Sequence, residues 1–90
     1  MIGRQVFYEG RVQGVGFRFT VKQWSRGYEV VGWVRNLEDG RVELQCSGAP
    51  EEVEAFLEAI AESELKSHIK RATVMPIPPH TGARGFEIAR

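Results

Sequence analysis

The hydrophobic period of this sequence changes from two to about 3.6 residues across a short glycine-containing segment near its start. In residues 4–12 apolar side chains alternate with polar ones, which is typical of a half-buried strand. The apolar residues then recur at i, i+4 and i+7, as Phe17, Val21 and Trp24, which predicts a helix with these residues facing the core. Gly27 is the natural stop of this helix. The chain therefore opens with a strand, a loop and a helix.

The remaining sequence continues the alternation between strand and helix patterns. The predicted elements are a strand at 28–36, a turn at 37–40, a strand at 42–47, a helix from Pro50, a strand from Ile69 to about Met75 and a short edge strand at 85–88. In the third strand Cys46 belongs to the core face. The alternate residues, Glu43, Gln45 and Ser47, are expected to face solvent or a partner. Phe56 is predicted to lie on the core stripe of the second helix.

The order of these elements predicts the fold class. Strand, helix, strand, strand, helix, strand, with a short extra C-terminal strand, is the βαββαβ pattern of the ferredoxin-like α+β sandwich. Two helices should then cover one face of a mostly antiparallel sheet. We expect residues 1–90 to form a single domain, because this length supports one core. Since this architecture hosts many activities, it does not assign a function.

The charge balance and the cysteine count limit the partners and the compartment. Twelve Lys and Arg residues balance twelve Asp and Glu residues, so no net charge attracts the chain to nucleic acid or an anionic membrane. Cys46 is the only cysteine, which excludes an internal disulfide and a cysteine-based zinc site and indicates a reducing compartment. No segment reaches the roughly 20 apolar residues of a spanning helix, and the N-terminus lacks a signal-peptide pattern. We expect a cytoplasmic protein without nucleic-acid or membrane partners, and a monomer.

The segment Gly10–Arg18 joins the first strand to the first helix and is one candidate site. Gly14 and Gly16 permit positive φ and close backbone approach, so consecutive N–H groups can converge on the oxygens of an anion. The start of the following helix adds partial positive charge, and the planar guanidinium of Arg18 can bond two phosphate oxygens at once. On these residues alone, a loop that only turns the chain beside a solvated Arg is an equally good interpretation.

Asn36 ends the predicted second strand and is the other candidate. It closes the cluster Gly32–Asn36, four residues before Gly40. At the end of a strand its amide can project beyond the sheet edge and bond a water molecule. Asn also commonly starts turns by bonding the backbone ahead of it, which is the preferred interpretation if Asn36 is considered alone.

Together, the two segments resemble the signatures of a known family. Val12–Arg18 is similar to the first acylphosphatase signature, and Gly32–Asn36, followed by Gly40, is similar to the second, in the same order and spacing. The resemblance covers essentially the whole chain, including 85–88 as the closing strand. It implies a phosphate-binding loop made of Gln13, Gly14, Val15, Gly16, Phe17 and Arg18. It further implies that Arg18 is the catalytic arginine that binds the phosphoryl group and that Asn36 positions the attacking water.

The activity implied by this resemblance is hydrolysis of the carboxyl–phosphate bond of small acyl phosphates to a carboxylate and orthophosphate. The acyl phosphate is the expected small-molecule partner, and orthophosphate or a similar anion should bind in the loop. Because the leaving carboxylate is a stable anion, positioning and charge stabilisation should dominate catalysis. We therefore expect neither a metal nor a cofactor.

A different class of function remains open at this point. The same loop can serve a noncatalytic module that binds an acyl phosphate or carbamoyl phosphate. RNA binding on the sheet is disfavoured, because the first and third strands lack paired aromatic RNA-binding motifs. His68 and His80 are isolated and receive no chemistry, and Arg35 is expected in a surface ion pair. The pattern does not decide which face carries Trp33 or what the proline-rich segment 76–84 does.

Overall fold

The computed structural model describes all of residues 1–90 and contains two helices and five strands. In chain order the elements are β1 (Ile2–Gly10), α1 (Phe17–Ser25), β2 (Val30–Asn36), β3 (Val42–Gly48), α2 (Pro50–Ala61), β4 (Ile69–Ile77) and β5 (Phe86–Ile88). A 3-10 helix at Glu64–His68 joins α2 to β4. This order is the predicted one, and the ferredoxin-like α+β fold class is confirmed. Neither helix is long and apolar enough to cross a membrane.

The strands form one sheet in the order β4-β1-β3-β2-β5. All neighbours are antiparallel except β2 and β5, which are parallel. β4 is therefore an edge strand, as its prolines require, and an edge position tolerates Pro76 opposite Arg4. Since β1 and β2 both run antiparallel to β3 between them, their C-terminal ends lie at the same end of the sheet. This arrangement brings the β1–α1 loop near Asn36.

The two helices and one sheet face enclose a single hydrophobic core. Its fourteen buried residues are Val6, Tyr8, Val12, Phe17, Val21, Val30, Val34, Val42, Leu44, Cys46, Val53, Phe56, Ile60 and Leu65. Alternate residues of the strands and one stripe of each helix supply most of this set, which is the pattern the sequence predicts. Cys46 lies inside it, and burial raises the pKa of its thiol to about 12. Such a thiol is not a nucleophile at neutral pH.

The prediction that Trp24 belongs to the core is wrong. Its side chain is 36% exposed, whereas α1 buries Phe17, Val21 and Ser25. The buried residues of α1 are therefore spaced four apart. Trp24, seven residues after Phe17, lies at the edge of this buried stripe. The inner face at the end of the helix is instead occupied by the small side chain of Ser25.

The expectation that the second face of β3 meets solvent or a partner is also wrong at two positions. Glu43 is 4% exposed and Ser47 is 1% exposed, although both lie on the face away from the helices. Side chains of the neighbouring strands cover Glu43, and the backbone N–H of His80 donates to Ser47 Oγ at 2.8 Å. The proline-rich segment 76–84 thus extends β4 and then contacts the central strand.

Candidate functional site

The β1–α1 loop meets the C-terminal ends of β2 and β5 around a small cavity at one end of the sheet. β5 reaches this end because it runs parallel to β2. The cavity has a volume of about 190 Å³ and is lined by Val12, Gly14, Gly16, Phe17, Arg18, Phe19, Asn36 and Ile88. A water molecule occupies about 30 Å³ in the liquid, so the cavity has room for a tetrahedral anion.

Two glycines give the loop its shape. Gly14 has a φ of 79° and Gly16 has a φ of 76°, both in the left-handed region that only glycine adopts readily. A Cβ added at either residue would meet no atom within 4 Å, so the requirement for glycine here is conformational. Gly16 is also the residue that caps the N-terminus of α1. The loop therefore leads directly into the positive end of the helix dipole.

The backbone N–H groups from Gly14 to Phe19 donate no hydrogen bond within the protein. The first N–H groups of any helix lack a partner inside the helix, and here the cap supplies no side-chain acceptor. The first turn of α1 also contains no acidic residue that could take the place of an external anion. An uninterrupted run of backbone donors is thus left for an anionic ligand.

Arg18 places its positive charge beside these donors. Its half-buried side chain lines the cavity and takes part in none of the three ion pairs of the protein, which involve Arg35, Arg41 and Lys66. No side-chain hydrogen bond ties its guanidinium elsewhere. The guanidinium can therefore give both edges of its planar fork to an anion.

Asn36 contributes the one buried side-chain polar atom of the protein that lacks a hydrogen-bond partner. Its Oδ1 is completely enclosed, and an unsatisfied buried acceptor of this kind costs about 1–3 kcal/mol. The hairpin turn is built without it: the Gly40 N–H donates to the Leu37 carbonyl at 3.2 Å, and the Arg41 N–H donates to the Asp39 carboxylate at 3.1 Å. The interpretation of Asn36 as a turn-forming residue therefore finds no hydrogen bond in the structure.

Comparison with known proteins agrees with this site. A sequence model of the acylphosphatase family matches residues 4–88. This chain belongs to the acylphosphatase family. It is 36% identical to the acylphosphatase of Bacillus velezensis over 89 residues, which cover 99% of each chain.

Solved structures show the same relationship. The fold matches the crystal structure of acylphosphatase from Bacillus subtilis with a TM-score of 0.90 and 32% identity, over 100% of both chains. It also matches T. kodakarensis HypF with a TM-score of 0.85 and 31% identity, where all of this chain covers only 12% of that protein. The resemblance predicted from the two signatures is confirmed, as is the predicted enzyme class, acylphosphatase.

Within this acylphosphatase fold, the predicted site residues divide into two groups. Gly14, Gly16, Phe17 and Arg18 line the cavity together with Asn36, whereas Gln13 and Val15 do not. The side-chain amide of Gln13 instead donates to the carbonyls of Leu37 at 2.8 Å and Arg41 at 3.0 Å. Gln13 therefore ties the loop to the β2–β3 hairpin.

Sequence reasoning missed two residues that this acylphosphatase places at the cavity. Phe19 directly follows the first of the two signature segments, Val12–Arg18, and Ile88 lies on the terminal strand. An apolar side chain on the outer face of α1 was a usable signal for Phe19. No local sequence pattern predicts that Ile88 lies at the cavity, because its position depends on the pairing of β5 with β2.

The face of the sheet away from the helices carries a separate group of polar side chains, the polar network: Gln5, Arg35, Glu43 and Gln45. Glu43 accepts from the amides of Gln5 at 2.7 Å and Gln45 at 2.9 Å, and from Arg35 Nε at 2.9 Å. Burial by itself raises the pKa of Glu43, but these hydrogen bonds and the Arg35 charge together hold it below its usual value. The expected ion pair of Arg35 is thus confirmed, with Glu43 as its partner.

The remaining candidates lie outside the cavity. Trp33 lies beneath the Arg35 guanidinium, 5.1 Å from the ring centre, and the ring of His80 is 2.9 Å from Gln45 Oε1. No group of three or more His, Cys, Asp and Glu side chains is arranged to hold a metal ion. A larger cleft of about 430 Å³ between α1 and the 3-10 helix, next to Trp24 and Tyr28, contains no comparable set of unpaired polar groups.

Proposed function

We propose that this chain hydrolyses the carboxyl–phosphate bond of small acyl phosphates, with Arg18 binding the phosphoryl group and Asn36 positioning the attacking water. The observation that carries this proposal is the meeting of three features in one cavity. These are the guanidinium of Arg18, which has no internal partner, the enclosed Oδ1 of Asn36, and the unpaired N–H groups of the loop.

The phosphoryl group is the part of the substrate that suits the loop. Its three equatorial oxygens carry the charge of the transition state, and backbone N–H groups together with one forked guanidinium can bond all three. These donors are fixed before the substrate arrives, because Gly16 sets the loop conformation and Gln13 anchors it to the hairpin. The protein therefore loses little energy to reorganisation during the reaction.

Asn36 suits the nucleophile. Its side-chain amide lines the cavity and can hydrogen-bond a water molecule, holding the water oxygen towards phosphorus, opposite the leaving group. The water oxygen forms a bond to phosphorus, the bond from phosphorus to the acyl oxygen breaks, and the electron pair leaves on the carboxylate. The proton lost by the water passes to the phosphate product. This route assigns no step to a protein nucleophile, an acid-base residue, a metal or a cofactor, because the carboxylate needs no proton to leave.

A noncatalytic binding module is the second candidate function. It is favoured by the match to T. kodakarensis HypF, since the same fold forms a small part of that larger chain. Such a module would use the same loop and Arg18 to bind an acyl phosphate or carbamoyl phosphate. It would have no need for the enclosed acceptor of Asn36, which makes turnover the observation that separates the two functions.

The first experiment measures benzoyl phosphate hydrolysis by the purified protein in the presence of a metal chelator, with Arg18→Ala beside it. We expect wild-type turnover to survive chelation and the variant to lose at least about 100-fold in kcat/KM, as when a group that stabilises transition-state charge is removed. Inhibition by orthophosphate should disappear with the arginine. Arg26→Ala is the matched control, because Arg26 is exposed at the other end of α1.

Three outcomes contradict parts of this proposal. Unchanged orthophosphate inhibition in Arg18→Ala removes Arg18 from the phosphate site. An equal loss in Arg26→Ala shows that the effect comes from general charge. Well-folded wild-type protein that binds orthophosphate but hydrolyses no acyl phosphate favours the binding module.

A further inference from the structure

Two exposed apolar side chains lie on the wall of the phosphate cavity. Phe19 is 59% exposed and Ile88 is 39% exposed, and they come from different elements, α1 and β5. The other large exposed apolar residues, Met1, Trp24, Val74 and Met75, do not line this cavity. Single exposed apolar residues are ordinary on protein surfaces, but two of them beside a polar cleft are typical of a ligand-binding site.

The position of Phe19 departs from the pattern of its helix. Phe17 faces the core, and a residue two positions later points about 200° away around the helix axis. The outward positions that follow, Lys22 and Gln23, are polar, as expected for a surface helix. Phe19 is therefore an aromatic residue on a polar face, placed directly after Arg18. Packing of the core does not account for it.

Ile88 reaches the cavity through the sheet. It pairs with Val34 of β2, and the next residue, Ala89, donates its N–H to the Val34 carbonyl at 2.8 Å. This pairing holds Ile88 beside Val34, which lies two residues before Asn36 at the end of β2. The side chain is thus placed by a backbone hydrogen bond and belongs to the cavity wall in the folded state.

The charge of the cavity limits what can lie against these two residues. Arg18 is the only charged residue that lines it, and the phosphoryl group uses that charge. An acyl group with its own carboxylate would find no second cation on the wall. An uncharged acyl group would instead cover apolar surface that is exposed in the free protein.

We propose that Phe19 and Ile88 form an acyl-binding subsite that makes this chain prefer acyl phosphates with uncharged aromatic or longer aliphatic acyl groups. This inference rests on the proposed function, because it assigns the end of the substrate that the phosphate loop leaves free. It goes beyond that function by naming the substrate class and the two residues that select it.

The test compares kcat/KM for benzoyl phosphate with that for acetyl phosphate in wild type, Phe19→Ala and Ile88→Ala. Loss of apolar contact from a binding pocket typically changes discrimination by about 10-fold or more, so we expect the benzoyl-to-acetyl ratio to fall by about 10-fold in each variant. Trp24→Ala is the matched control, since it removes an exposed aromatic residue of the same helix outside the cavity. Its ratio should equal that of wild type.

A second substrate pair tests the charge argument. Butyryl phosphate and succinyl phosphate have acyl chains of equal carbon number, and only the second carries a terminal carboxylate. Wild type should prefer butyryl phosphate, and Phe19→Ala should reduce that preference. Equal use of the two substrates by wild type contradicts the proposed subsite.

The remaining outcomes separate the subsite from the proposed function. A benzoyl-to-acetyl ratio unchanged in both Phe19→Ala and Ile88→Ala overturns the subsite while leaving the hydrolase intact. If wild type hydrolyses no acyl phosphate, the proposed function fails, and binding of phenylphosphonate against methylphosphonate decides the subsite by itself. Tighter binding of the phenyl compound that is lost in Phe19→Ala supports it, and equal binding overturns it.

Discussion

The cavity at the end of β1 and β2 and the polar network on the sheet face away from the helices both enclose polar atoms. They differ in whether these atoms have hydrogen-bond partners within the protein. In the polar network the Glu43 carboxylate accepts hydrogen bonds from three side chains. At the cavity the Asn36 Oδ1 accepts none, and Arg18 has no carboxylate partner. The polar groups of the first region are satisfied within the protein, whereas those of the second are left unpaired.

This difference assigns the two regions to different tasks. Buried polar groups that are fully bonded hold neighbouring strands in register and rigidify the fold. Buried groups left without partners lower stability, so their presence together with an unpaired charge indicates a site for a ligand. Side-chain substitutions at Arg18 and Asn36 should therefore lower activity without lowering stability, and substitutions in the polar network should do the reverse.

The largest effect is expected at the cavity. Asn36→Ala should lower kcat by about 100-fold, because the attacking water loses the amide that positions it, while inhibition by orthophosphate stays within about twofold of wild type. The free energy of unfolding, measured in urea, should not fall, since the Asn36 side chain makes no hydrogen bond and its removal relieves an unsatisfied buried acceptor. A collapse of orthophosphate affinity would instead make Asn36 a scaffold residue and end the contrast between the two regions.

The polar network should respond in the opposite way. Glu43→Gln should lower the free energy of unfolding by about 1–3 kcal/mol, because a neutral amide cannot accept from all three donors at once. Because Arg35, the ion-pair partner of Glu43, is exposed to solvent, the ion pair itself contributes little to this loss of stability. Turnover of benzoyl phosphate should stay within about twofold of wild type. Glu54→Gln, on the exposed side of α2, is the control and should leave both quantities unchanged.

The same substitution has a pH signature. The pKa of Glu43 is lower in the folded chain than its ordinary value, so its ionised form adds stability above that ordinary value. This contribution disappears as the pH falls through the lowered pKa of the folded state. Urea unfolding at a series of acidic pH values should therefore show a steeper loss of stability in wild type than in Glu43→Gln. Parallel curves for the two proteins would show that Glu43 does not contribute to acid denaturation.

The smallest effect concerns the backbone that carries the donors. Gly16→Ala should cost about 1–2 kcal/mol of stability, because alanine is strained at a φ of 76°. It should also reduce kcat/KM, since relief of the strain turns the loop N–H groups away from the phosphate. Gly27→Ala is a matched control at the other end of α1, where a Cβ meets only an ordinary contact of 3.6 Å. Equal effects of the two substitutions would show that the conformation of Gly16 has no special role.

Much of the fold could be predicted because local patterns reveal it. The change of period marked β1 and α1, and Pro50 marked the start of α2. The alternation around Cys46 correctly predicted its burial. The two signatures identified the family, and their residues Arg18 and Asn36 do meet at one cavity. The chemical roles of these two residues stay predictions until their variants are measured.

Other features were beyond the reach of local patterns. Trp24 looked like a core residue because its spacing matches a helix stripe, yet the position of the stripe depends on how α1 rests on the sheet. Gln13 belongs to the loop signature, but no local pattern predicts that its side chain reaches the hairpin carbonyls of Leu37 and Arg41, which are distant in sequence. Both outcomes were decided by contacts between separate elements.

By itself, then, the sequence determined the order of the elements, the glycines that permit positive φ in the loop and the chemical groups available for a phosphate. Only the tertiary structure decided that Glu43 is enclosed by its neighbours, that Asn36 Oδ1 has no partner and that Ile88 joins Phe19 at the cavity. The physical reason is the range of the interactions. Periodicity and turn chemistry act within a few residues, whereas strand pairing and side-chain hydrogen bonds join residues far apart in the chain.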